Sequence, residues 1–105
     1  MYPKLVQIVP NMATRTGALS NVLFSGSRRS ILALLYGHAD EEFYLREIAR
    51  RAGTGIEATQ RELRQLSEAG LIQDVRRGRQ VYYQANRKNP IFVELKSILA
   101  KTSGT

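Results

Sequence analysis

The 105-residue chain has no cysteine and a single histidine, His38. Disulfides, thiolate metal sites and thiol redox sensing are therefore excluded, and an imidazole-based transition-metal site is not expected. No apolar run approaches the roughly 18 residues that a membrane-crossing helix needs. The N-terminal stretch, interrupted by Pro3 and Pro10, lacks the basic, apolar and small-residue succession of a secretory signal. The expectation is a soluble cytoplasmic protein with no membrane, no metal and no cofactor. Acidic residues are also in short supply. Nine Asp and Glu face sixteen Lys and Arg, for a net charge of +7. Such a field attracts polyanions before any contact forms, which makes nucleic acid the leading class of partner.

The length suits one small domain with one core. Residues 1–21 carry Pro3, Pro10, Thr14, Thr16, Gly17 and Ser20 and read as an N-terminal arm. A helical pattern begins at Ser27, whose hydroxyl suits a cap. Ile31, Leu32, Leu34 and Leu35 supply its apolar face, and Gly37 its stop. After the polar Asp40, Glu41 and Glu42, the pair Phe43 and Tyr44 suits a short strand. Leu45, Ile48, Ala49 and Ala52 then fall at i, i+3, i+4 and i+7, a two-turn amphipathic helix ended by Gly53.

Thr54 followed by Glu57 fits a capping box, so a second helix is expected to start almost at once, with Ile56, Thr59, Leu63 and Leu66 inward and Gly70 at its end. Two helices joined so tightly must cross at a large angle, as in a helix-turn-helix. Leu71, Ile72 and Val75, then Arg76, Arg77, Gly78 and Arg79, then Val81, Tyr82 and Tyr83 predict a hairpin with a basic tip. Asn89 and Pro90 then suit the cap and first position of a last helix striped by Ile91, Phe92, Leu95, Ile98 and Leu99. The fold class expected is mainly α with a small β-hairpin.

With the elements in this order, the stretch FYLREIARRAGTGIEATQRELRQLSEAGLIQDVRRGRQVYYQAN resembles the winged helix-turn-helix of the broad ArsR/MarR-like group of bacterial and archaeal transcriptional regulators. The resemblance rests on Ala49, Gly53, the phrase LSEAGLI at 66–72 and the VYY of the second wing strand. It implies a DNA-binding domain over 22–86 and a C-terminal helix over 87–105 used for homodimerisation. It also implies that the helix over about 55–69 enters the major groove of double-stranded DNA, with the protein acting as a repressor. On that basis Gln60, Arg61 and Arg64 are expected to read base edges, Gln by pairing with adenine and Arg with guanine. Glu57 and Gln65 share the outward face. Thr54, Gly55 and Ala58, at the helix start, are expected near phosphates or bases. Arg76, Arg77 and Arg79 form the basic wing, suited to backbone or minor-groove contact. Metal-sensing members of the group use Cys or His clusters that this chain lacks, so metal-responsive control is not expected.

Two other readings compete. The same surface suits a winged-helix module that binds protein instead of DNA. The phrase VLFSGSRRS at 22–30 is similar to the Gly-Ser loop of minimal nucleotidyltransferases, which would make the chain a remnant or partner of such a system. That enzyme chemistry also requires paired carboxylates for Mg²⁺, commonly as Asp-x-Asp downstream. Here the helix of Ile31–Tyr36 occupies that place, so no enzyme activity is expected.

Overall fold

The structure, a computed structural model, describes residues 26–103; the expected N-terminal arm lies outside them. The elements run α1 (Gly26–Gly37), β1 (Phe43–Tyr44), α2 (Leu45–Ala52), α3 (Ile56–Glu68), β2 (Ile72–Arg77), β3 (Gln80–Ala85) and α4 (Phe92–Ser103). The three strands form one antiparallel sheet in the order β1-β3-β2. Four helices and a small sheet match the expected class, and β1 adds a third strand to the hairpin by pairing Phe43 with Tyr83 and Tyr44 with Tyr82.

The start of α1 differs from expectation. Gly26 opens the helix at φ +55°, a left-handed value that only glycine adopts without strain, and Ser27 lies inside the first turn instead of capping it. Three residues join α2 to α3. Gly53 takes the left-handed conformation (φ 72°, ψ 35°) and its amide donates to Ala49 O, as does the Thr54 amide at 2.9 Å. This arrangement satisfies the last carbonyls of α2 while reversing the chain.

The capping box does not form. Gly55 is the N-cap residue of α3 and contributes no side-chain bond. The Thr54 hydroxyl instead bonds the Thr59 hydroxyl, which donates to Gly55 O at 2.7 Å. Thr59, fully buried, is thereby satisfied, and it belongs to the inner face of α3 together with Leu63 and Leu66. Ile56 does not belong to that face. It stands at the first position of the helix, where no preceding turn lies beneath it, and is 43% exposed.

One core cluster takes Ile31, Leu32, Leu35 and Tyr36 from α1, Phe43 from β1, Ile48 from α2, Leu63 and Leu66 from α3, Ile72 and Ala85 from the sheet, and Leu95 and Leu99 from α4. Every element contributes; the helix pair packs on α1, and α4 packs on α1 as well. Tyr36 serves as a junction: its hydroxyl donates to Leu71 O at 2.6 Å, its ring stacks on Phe92 at 5.2 Å, and its own carbonyl accepts from Lys96 Nζ at 2.9 Å. Burial pushes this phenol up to about 12. At the root of the hairpin, the Asn86 and Asn89 side-chain amides both donate to Gly70 O, at 2.9 and 2.8 Å. The Asn89 Oδ1 accepts the Ile91 amide at 2.9 Å, the capping bond expected of it, and the regular helix begins at Phe92. Leu95 and Leu99 of the expected stripe are buried in this chain's own core, whereas Ile91 (52%) and Val93 (72%) face outward.

Candidate nucleic-acid interface

The inner face of α3 faces the core, so its opposite face is presented outward. That face carries Glu57, Gln60, Arg61, Arg64, Gln65 and Glu68, all exposed. Ala58 is half-buried on the flank. Glu57 with Arg61 and Glu68 with Arg64 stand at the spacing of ordinary helix ion pairs. Neither pair appears among the ion pairs of the described residues, which are Arg28–Glu62, His38–Glu41, Arg50–Glu47, Arg51–Glu47 and Arg77–Glu42. Arg61 and Arg64 therefore project two free guanidinium groups from consecutive turns of one helix. A guanidinium is a planar array of donors suited to guanine edges and to phosphate.

The wing follows from turn chemistry. Arg77 pairs with Gln80 across the two-residue turn Gly78-Arg79, and Gly78 has φ +64° while, among the described residues, none other than glycine takes a positive φ. A glycine with positive φ at the first central position alone is the pattern of a type II′ hairpin turn, whose twist matches that of the strands. Arg76 and Arg79 are exposed on it and make no ion pair among the described residues.

Arg77 is placed differently from the other wing arginines. Its Nε and Nη2 donate to the two carboxylate oxygens of Glu42 at 2.7 and 2.6 Å, a bidentate clasp between the wing and the loop before β1. The hydrogen bond from Arg77, aided by its charge, holds the Glu42 carboxyl below its ordinary value of 4.5, and the Arg77 guanidinium is raised in turn. Because the folded-state value is depressed, the contribution of the clasp is present above the ordinary value and is lost as pH falls through the lowered one. A carboxyl-detected NMR titration should find Glu42 titrating below 4.5 in the native protein and returning to about 4.5 in Arg77→Ala. Titration at or above 4.5 in the native protein would mean that the clasp does not exist in solution.

Beside the N-terminus of α3 lies an open groove lined by Tyr44, Arg46, Glu47, Ala49, Arg50, Thr54, Gly55 and Ile56, of which the sequence pointed only to Thr54 and Gly55. Two of the four exposed large hydrophobics among the described residues, Tyr44 and Ile56, lie here, and with two arginines against the single Glu47 the groove mixes apolar surface with a positive balance of charge. Among the described residues Arg46 has no ion pair and Arg50 only a 4.0 Å approach to Glu47, while Arg51 is bonded to Glu47 at 3.2 Å and stacked over Phe43. The spacing of Arg46 and Arg50, one turn apart on the side of α2 opposite its buried Ile48, was the available signal. Tyr44 rests on Tyr82 with ring centroids 5.2 Å apart and donates to Gln80, while Tyr83 packs against the core. The Gly-Ser phrase at 26–27 opens α1, and its neighbour Arg28 bonds Glu62 and Gln65 of α3, an architectural use of that segment.

No protein-family model matches the sequence, and no curated protein matches it as a relative. Solved structures do match. A predicted DNA-binding transcriptional regulator from E. coli shares 24% identity with a TM-score of 0.60, covering 95% of this chain and 97% of that one. A point mutant of MepR from S. aureus, bound to an oligodeoxyribonucleotide, shares 15% identity with a TM-score of 0.65 over 99% of this chain and 79% of that one. The homodimeric winged helix-turn-helix DNA-binding domain of Mb0332 from Mycobacterium bovis, a possible ArsR-family transcriptional regulator, shares 23% identity with a TM-score of 0.59, over 93% and 83%. The helix pair α2–α3, the three-stranded sheet and the II′ wing of this chain thus make up a winged helix-turn-helix, the fold of ArsR- and MarR-like regulators.

Proposed function

We propose that the chain is a cytoplasmic transcriptional regulator that binds double-stranded DNA as a homodimer, acting as a repressor and performing no enzymatic step. The observation that carries this reading is the outward face of α3, where Arg61 and Arg64 stand exposed beside a wing with exposed Arg76 and Arg79, all four without ion pairs among the described residues. In this reading α3 enters the major groove, with Gln60, Arg61 and Arg64 reading base edges and Glu57 and Gln65 flanking them. Thr54, Gly55 and Ala58 approach the strand at the helix start. Tyr44, Arg46, Arg50 and Ile56 take the adjoining sugar-phosphate backbone, apolar surface against the sugars and guanidinium groups against the phosphates. Arg76 and Arg79 reach the neighbouring groove, and Arg77 fixes the wing that carries them. Ile91, just ahead of α4, and Val93 on it supply apolar surface for the two-fold contact.

Selection of bound duplexes from a random pool tests the reading. The expected product is a pair of inverted half-sites with centres about 10 bp apart or a multiple of that, the signature of two recognition helices related by two-fold symmetry. Single asymmetric sites would overturn the homodimer. Failure to enrich any sequence, with no duplex binding even at low salt, would overturn DNA recognition and favour a protein partner for this surface.

A further inference from the structure

Arg28 stands in the first turn of α1 and reaches across to α3, 34 residues on. Its Nε donates to Glu62 Oε1 at 2.6 Å, and its Nη2 donates to Gln65 Oε1. Glu62 and Gln65 are three positions apart, hence on one flank of α3. The Glu62 side chain is largely buried, at 14% exposure, and that of Arg28 only partly exposed, at 36%. The guanidinium is thus held in place by a carboxylate before it meets the glutamine.

A guanidinium offers donors only, so the Gln65 atom it meets must be the carbonyl oxygen, and the orientation of the amide follows. The group left outward on Gln65 is its Nε2 amide, a donor. A free glutamine reads adenine by donating to N7 while accepting from the N6 amino group. Here the accepting oxygen is engaged by a cation, and a base amino group approaching it would meet that same positive charge. Arg28 and Gln65 together therefore present an edge made of donors alone.

We infer that Arg28 is a positioning residue that fixes the base preference of Gln65: the pair selects an acceptor-only edge, guanine O6 and N7 in the major groove, where an unassisted glutamine would select adenine. This inference rests on the proposed entry of α3 into the major groove. It makes Gln65 a guanine reader, distinct from the adenine reading that its residue type suggests.

The test is selection of bound duplexes from a random pool for the native protein, Gln65→Ala and Arg28→Ala, with thermal melting of each. The native protein should enrich guanine at one position per half-site. Gln65→Ala leaves the Arg28–Glu62 pair in place and should melt near the native temperature while losing that preference by about tenfold at that position alone. Arg28→Ala should convert guanine to adenine there, a switch that a merely structural role for Arg28 would not produce. Guanine retained in Arg28→Ala, or adenine already preferred by the native protein, overturns the inference. Uniform weakening of all sequences by Gln65→Ala, with the salt slope unchanged because a neutral amide displaces no counterion, would mean that the acceptor is a phosphate oxygen and also overturns it. Were the native protein to bind no duplex at low salt, the DNA-binding reading itself would fail, an outcome distinct from each of these.

Discussion

Reversing two charges together, Arg61→Glu with Arg64→Glu, should lower affinity for the selected duplex by at least about a hundredfold at 0.1 M salt, since each lost base or phosphate contact is worth roughly 1–3 kcal/mol and the new carboxylates repel the backbone. Both side chains are exposed and neither takes part in the ion pairs of the described residues, so the fold loses no bonded partner. The one structural cost is a like-charge spacing with Glu57 and Glu68, a few tenths of a kcal/mol per pair. Melting should therefore shift by only a few degrees. The control is Arg87→Glu with Lys88→Glu, two exposed residues ahead of α4 that change net charge by the same amount. If the effect were only that of the overall field, both double variants would weaken binding equally. The local reading requires the α3 variant to lose at least about ten times more. Arg79→Ala provides a second contrast. Sitting on a hairpin tip, it should weaken all sequences alike and reduce the salt slope by about one, whereas Arg61→Ala should change which base is preferred. The division between helix and wing fails if those two outcomes are exchanged.

The largest effect on stability is expected at Leu63. It is fully buried on α3 in the cluster that joins α1, α2 and α4. Truncation to alanine removes buried surface and leaves a cavity, at a cost of about 2–5 kcal/mol. A domain of this size has total stability near the low end of roughly 5–15 kcal/mol, so the loss is a large share of the whole. Thermal unfolding should move down by at least about 10 °C. Ile56→Ala provides the comparison, because both residues fit the same apolar spacing in the sequence. With Ile56 43% exposed, its truncation should cost less than about 1 kcal/mol. Equal losses at the two positions would restore Ile56 to the core and remove it from the groove beside Tyr44.

This contrast marks the limit of what periodicity can reveal. Ile48, Ala49, Leu63 and Leu66 are legible because each lies within a helix long enough for its apolar stripe to repeat. The left-handed Gly53, the hairpin around Gly78 and the Asn89 cap are legible because each depends on the chemistry of one residue and its immediate neighbours. Ile56 was misread because its position in the first turn breaks the rule that equal spacing means an equal environment. Thr54 was misread as a capping residue because a hydroxyl can satisfy several partners, and here Thr59 is the one it meets. The exposed face of α3 was recovered almost whole. Two features of the site were not: the clasp between Glu42 and Arg77, 35 residues apart, and the bond from Arg28 to Gln65, 37 residues apart. Each depends on tertiary approach between long charged side chains, and no local pattern encodes it. For that reason Arg77 looks like a free wing cation in the sequence and is a bonded one in the structure.

The two-residue turn at Gly78-Arg79 also limits how the wing could change its reach over the course of divergence. With Arg77 paired to Gln80, every residue of β2 out to the tip has a fixed partner on β3. A single inserted residue would slip one strand against the other and exchange its two faces, so length can grow only by matched additions to both strands. One residue on each strand carries the tip about 3.4 Å outward but turns the pair flanking the turn to the opposite face; two on each carry it about 7 Å and restore the original facing. The reach of the wing is thus quantised, and descendants of this sequence that probe a more distant stretch of helix should differ from it at the hairpin by four residues, not by one, two or three.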